Sequence, residues 1–112
     1  MKKIQRIKKN EEFSEIISKK KSVANQAFVI YFQKNQSFHH RIGISVSKKL
    51  GNAVIRNKIK RQVRMLIQQN FDSSKQIDYI IIIRKKFLDL THEQRIKELH
   101  YLIKKIDKRM EI

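Results

Sequence analysis

The chain has 112 residues, of which 27 are Lys or Arg and 10 are Asp or Glu, for a formal net charge of +17. That length fits one domain, residues 1–112, and a hydrophobic content of 40% supplies one modest core, which excludes a disordered basic tail. Cysteine and proline are absent and glycine occurs only at Gly43 and Gly51; this excludes a disulfide-linked partner, thiolate metal sites and cysteine nucleophiles, and argues against flexible linkers and glycine-rich phosphate loops.

The N-terminal stretch MKKIQRIKK is basic but lacks the apolar segment and small-residue cleavage site of a signal peptide. Asn10 is placed to cap a short helix running to about Lys20, with Phe13, Ile16 and Ile17 on one side and Glu11 and Glu12 in the first turn, where they complement the helix dipole. Ala27 to Gln33, AFVIYFQ, has the β-branched and aromatic content of a strand. A short extra strand near Ser22 to Ala24 stays open. Lys34 to His40 is polar and predicts a hairpin connection, with His39 and His40 on its surface. Arg41 to Ser47 alternates: Ile42, Ile44 and Val46 face one way, Gly43, Ser45 and Ser47 the other, which predicts a strand with one buried face.

Lys48 to Asn52 predicts a tight connection in which Gly51 supplies an unusual backbone angle and Asn52 caps the next helix. That helix runs from Ala53 to about Asn70. Asp78 to Lys85, DYIIIIRK, is apolar on both faces, as a central strand covered on both sides would be. No apolar run is long enough to span a bilayer, and the chain is expected to be cytoplasmic. Thr91 with Gln94 matches a capping box ahead of a last helix whose Ile96, Leu99, Ile103, Ile106 and Met110 are spaced to pack on a sheet. The order helix-strand-strand-helix-strand-helix predicts an α+β fold, a small two-layer α/β sandwich.

The charge is unevenly placed. Between Ile16 and Phe71, 56 residues, no acid occurs, while twelve residues are basic and seven of those lie between Lys48 and Arg64. A compact domain tolerates such self-repulsion mainly when a polyanion neutralises it, and counterion release favours nucleic acid. A solvated face kept for solubility and an anionic membrane surface are the weaker alternatives. At about 100° per residue, Arg56, Lys60, Arg64, Asn57 and Arg61 of the central helix form one stripe, and Ile55, Ile59, Val63 and Leu66 form a core-facing stripe beside it. Lys58 extends the charge around the far side. Arginine forks grip phosphates bidentately or stack on bases, and Asn57 suits a base edge or a sugar hydroxyl.

Lys48 to Arg64, KKLGNAVIRNKIKRQVR, resembles the arginine-rich signature of the bacterial ribonuclease P protein family, with Lys48, Lys49, Gly51, Ala53, Val54, Arg56, Asn57, Lys60, Arg61 and Arg64 at the family positions without gaps. RIKKNEEF (Arg6 to Phe13), SVAN (Ser22 to Asn25) and DYIIIIRK extend the likeness over most of the chain. Lys58 stands where the family commonly has arginine, and Ile17 where some members carry a second aromatic. The resemblance implies a mixed sheet with a left-handed βαβ crossover through the central helix, against the usual right-handed rule. It implies a subunit that binds a catalytic RNA and the 5′ leader of precursor tRNA, and that assists hydrolytic removal of the leader. The RNA would hold the active site and its magnesium ions (Mg2+). The signature would contact the RNA subunit, with Lys48, Lys49, Arg56, Asn57, Lys58, Lys60, Arg61 and Arg64 as RNA-binding residues. A cleft between the first helix and the sheet would hold the leader, lined by Phe13, Ile17, Tyr31, Ser45, Ser47, Arg56, Asn57, Lys60 and Arg64.

The residues fit that division of labour. Single-stranded RNA is held by aromatic platforms beside cationic grooves, and Phe13 and Tyr31 suit such platforms. Phe28 is divided between core and site; Phe32 is expected in the core. No protein-borne catalysis is expected, because the acids, Asp72 and Asp78 among them, are scattered and read as dipole partners, turn residues or solvated charges, and His92 and His100 lack a carboxylate motif. A protein metal site is not evident. A ribosomal-type RNA-binding protein is the runner-up, against which the signature discriminates. A DNA-binding module is third, without the helix pairing or dimer seam it needs.

Overall fold

The computed structural model describes Ile7 and residues 10–110. The elements are α1 (Asn10–Ser18), β1 (Ser22–Ala24), β2 (Phe28–Lys34), β3 (Arg41–Ser45), α2 (Ala53–Asn70), β4 (Ile77–Ile83) and α3 (His92–Met110), with 3-10 turns at Lys48–Leu50 and Lys85–Asp89. The expected order and the α+β class hold, and Ser22–Ala24 is a strand. Arg6, Lys8 and Lys9 of the opening segment lie outside the described residues, as does the side chain of Asn10, on which the expected cap depends. Among the described residues no helix is long and apolar enough to cross a membrane.

The strands form one mixed sheet in the order β1-β2-β4-β3, antiparallel from β1 to β4 and parallel between β4 and β3. The hairpin expected at Lys34–His40 is therefore overturned: β4 lies between β2 and β3. Its doubly apolar sequence gains most from the centre of the sheet, where both faces can be covered. The β2–β3 connection instead bonds to the segment ahead of β4, through Asn35 N to Gln76 O (3.0 Å) and His40 N to Ser73 O (2.9 Å). α2 spans the two parallel strands as a crossover helix.

The main core lies on one face of the sheet. Phe28, Ile30 and Phe32 of β2, Ile42 of β3 and Ile77, Tyr79, Ile81 and Ile83 of β4 meet Ile59, Val63, Leu66 and Ile67 of α2 and Leu99, Leu102 and Ile106 of α3. Phe28 is thus a core residue, edge-on to Phe87 at 5.6 Å between ring centres. Ile55 departs from the expected core stripe: it is 44% exposed. It sits in the first turn of α2, beyond the sheet, and its side chain closes over Gly51, where a Cβ would lie 2.8 Å from Ile55 Cγ2. On the opposite face α1 seals a smaller cluster of Ile7, Ile16 and Ile80, flanked by Phe13, Tyr31 and Ile82.

Both helix starts are capped as the sequence predicts. Ile55 N donates to Asn52 Oδ1 at 3.0 Å, and Thr91 and Gln94 exchange bonds of 2.9 and 3.2 Å. Gly51 adopts φ +151°. His40 corrects the surface-loop expectation. It is buried edge-on to both Phe71 and Tyr79, and burial, then the adjacent His39, push its pKa down.

Asp78 is a second correction. It is not a solvated charge but 1% exposed, on the face that α1 covers. Arg41 donates to it from Nε and Nη2 at 2.9 and 2.7 Å, and Asn35 Nδ2 donates at 2.8 Å. Arg41 also reaches Glu12 of α1 at 2.7 Å, so one guanidinium ties helix to sheet. Burial pushes the Asp78 carboxyl up, but the bonds from Arg41 and Asn35 outweigh it and hold the group below its usual range. With the folded pKa below the unfolded one, this contribution is complete above the ordinary carboxylate range and is lost as pH falls through the folded value. Asp78→Asn should cost about 1.5 kcal/mol or more in urea unfolding at pH 7, because it removes the charge from both Arg41 hydrogen bonds at a buried position while Glu12 still holds the half-exposed guanidinium. The gap to wild type should close as the pH is lowered into the acid range.

Candidate nucleic-acid interface

The cationic stripe is positioned by what precedes it. β3 stops at Ser45, so Ser47 is not on the strand as expected; its hydroxyl accepts from Lys49 N at 3.2 Å and caps the 3-10 turn that carries Lys48 and Lys49. Both lysines are exposed. The Asn52 cap then starts α2, whose apolar stripe docks on the main core and so fixes the rotation of the rest. Arg56, Lys60 and Arg64, one turn apart, become half-buried along the margin of the sheet, while Asn57, Lys58 and Arg61 point to solvent.

The sheet face under α1 forms three cross-strand rows. Gln33, Asp78 and Arg41 make the first, Tyr31, Ile80 and Gly43 the second, and Val29, Ile82 and Ser45 the third. α1 crosses the first two, with Phe13 over Gly43 and Ile16 on Ile80. The third row stays half-buried. Where α1 meets β3 a cleft of about 110 Å³ opens, lined by Ile7, Phe13, Ile42, Gly43 and Ile44 together with Lys60 and Arg64. An aromatic ring, strand backbone and two cations from separate segments converge there. Nearby on the same stripe, Arg56 Nε is buried with no acceptor in the structure; an unmatched buried donor of this kind favours an incoming anion.

Of the expected cleft residues, Phe13, Lys60 and Arg64 are brought together directly. Tyr31 and Ser45 share their sheet face, with Ile80 and Ile82 of β4 between them. Ile17 lies on α1 at 36% exposure, and Ser47 is engaged in the turn. Gly43, Val29 and Ile82 were not among the expected site residues. Gly43 carries a readable signal, since an isolated glycine inside a strand marks close approach. A Cβ at Gly43 would lie 2.5 Å from Phe13 Cζ. Among the described residues no group of three or more His, Cys, Asp or Glu is placed to hold a metal ion.

Comparison with known proteins identifies the class. A family model for ribonuclease P matches residues 1–107. The chain is 50% identical over 102 residues to the ribonuclease P protein component of Mycoplasma capricolum, covering 89% of this chain and 94% of that protein. It is 47% identical over 109 residues to the component from Bacillus cereus, covering 94% and 93%. The solved ribonuclease P protein of Staphylococcus aureus matches with a TM-score of 0.80 at 46% identity, over 91% of this chain and 94% of that one. The Thermotoga maritima protein matches at 0.78 and 32%, over 90% and 96%. Fold and likeness together define a small α+β subunit of a tRNA-processing ribonucleoprotein nuclease. The chain belongs to the ribonuclease P protein family.

The Phe13–Gly43 contact makes a direct prediction. Gly43→Ala should push the Phe13 ring off the strand and cost about 1 kcal/mol or more in urea unfolding. In a double-mutant cycle with Phe13→Leu the two changes should be coupled, the cost at Gly43 falling once the ring is gone.

Proposed function

We propose that this chain binds the catalytic RNA subunit of ribonuclease P through its signature region and the 5′ leader of precursor tRNA in the cleft beside α1. It thereby assists endonucleolytic cleavage that leaves the mature 5′ end. The observation that carries this reading is the meeting of Phe13, Lys60 and Arg64 over Gly43, from three segments distant in sequence. A ring beside cations is what holds a single strand without reading its sequence. The half-buried stripe of Arg56, Lys60 and Arg64 faces the leader. The outward Asn57, Lys58 and Arg61, with Lys48 and Lys49, face the RNA subunit. Tyr31 offers a stacking surface farther along the sheet, Ile17 an apolar contact, and Ser45 a hydroxyl for phosphate or ribose.

In this reading the hydrolytic centre and its magnesium ions belong to the RNA, and the protein contributes binding and charge neutralisation. The left-handed sense of the β3–α2–β4 crossover and a cytoplasmic location belong to the same reading.

Purified chain added to the cognate catalytic RNA should raise precursor tRNA cleavage at low magnesium above that of the RNA alone. Absence of stimulation would overturn the proposal. Arg56→Ala and Lys60→Ala should each weaken assembly or leader affinity by about 1 kcal/mol or more, with a shallower dependence on salt. Binding unchanged in both would make the stripe a solvated surface.

A further inference from the structure

A second basic surface lies apart from the signature. The turn between α1 and β1, the end of β2 and the end of α3 enclose an open cleft of about 430 Å³ lined by Lys19, Lys21, Gln33, Lys34, Arg109 and Met110. Lys20 takes a left-handed backbone conformation, φ +56°, and Lys19 and Lys21 line the cleft while Lys20 does not. Arg109 is held in place by donating from Nη1 to Ser22 O at 2.6 Å. Lys19, Lys21 and Lys34 are exposed, so nothing in the core holds them there. Among the described residues the acid paired to these four cations is Glu15, 3.7 Å from Lys19 and itself exposed. Four like charges converging on one concavity repel one another unless an anion joins them.

The cleft sits on the far flank of α1 from the proposed leader track. Gln33 belongs to the sheet row with Asp78 and Arg41, whereas Val29, Ile82 and Ser45 lie on the other side of the helix. The neighbouring groove, which shares Lys19, Gln33 and Lys34, also carries Glu12 and Glu15. That groove also holds Asp78 and Arg41, so its acids and cations balance, and the unbalanced positive charge that attracts a polyanion stays with the lysines and Arg109. The opening is too wide and too little enclosed for a single small anion, and it lacks the broad apolar face that a membrane surface requires.

We propose that Lys19, Lys21, Lys34 and Arg109 form a second RNA-backbone site that binds consecutive phosphodiesters, independent of the signature helix. It rests on the reading of this chain as an RNA-binding subunit. Phosphates of the catalytic RNA and of precursor tRNA share the required chemistry, and the test separates them.

The test is the variant Lys19→Gln/Lys21→Gln/Lys34→Gln in the full chain, which leaves Arg109 and its bond to β1 intact. Its affinity is titrated against salt for three probes: the catalytic RNA, precursor tRNA with a long leader, and precursor with the leader cut to two nucleotides. Affinity for at least one probe should fall about tenfold or more, with the slope of log affinity against log salt reduced by about 2. Loss on the catalytic RNA assigns the site there. Loss on both precursors assigns it to the tRNA body, and loss on the long-leader form alone to the leader. Lys97→Gln/Lys104→Gln/Lys105→Gln, on the outer face of α3, removes the same charge elsewhere and should change affinity less than about threefold. Equal losses in the two triple variants, or none in the first, would overturn the site. Lys60→Ala runs alongside: if it alone weakens binding, the second site fails while the proposed function stands. If wild type binds none of the three RNAs, both fail.

Discussion

Burial of β4 on both faces is the constraint from which the remaining arrangement follows. Six of its seven residues, Ile77–Ile81 and Ile83, are buried, and Ile82 is half-buried. Each isoleucine withdrawn from water contributes roughly 1.5–3 kcal/mol, which is realised only if helices lie on both sides. α2 and α3 cover one face and α1 the other. The strand must also be central, so β2 and β3 flank it and their connection cannot be a hairpin. Placing β3 parallel to β4 then requires a crossover helix. That helix is α2, whose buried stripe turns Arg56, Lys60 and Arg64 toward the side of the sheet where α1 presents Phe13.

The few acids matter for where they are used. Arg41 lies in the acid-free stretch, but the fold draws Glu12 and Asp78 to it from outside that stretch. Lys75 is matched by Asp107 at 2.6 Å. The acids thus secure α1 to the sheet and the loop before β4 to α3. Most of the positive charge is left facing outward, and the net excess is concentrated where partner phosphates can reach it.

Much of the architecture was legible in the residues. The period of Ala53–Asn70, the cap at Asn52, the Thr91–Gln94 box and the doubly apolar β4 each report a local preference that the tertiary structure reinforces. Three of the misreadings share one cause. His40, Asp78 and the Lys34–His40 segment look polar and therefore exposed, yet each gains its partners from segments far along the chain. Asp78 is paired by Arg41 and Asn35, and His40 is enclosed by Phe71 and Tyr79. Ile55 fails in the opposite sense, because a helix period says which residues share a face but not how far the opposing sheet extends.

The candidate site divides along the same line. The sequence by itself determined the kinds of group available: an uninterrupted cationic stretch, a stripe register set by 3.6 residues per turn, a glycine within a strand, and an aromatic ring on a short helix. Those properties are local and survive in any arrangement of the chain. Only the tertiary structure decided that Phe13 lies on Gly43 beside Lys60 and Arg64, and that Lys19, Lys21, Lys34 and Arg109 share one cleft. Such meetings depend on strand order and on which sheet face each helix covers, and these are set by the burial of β4 as a whole.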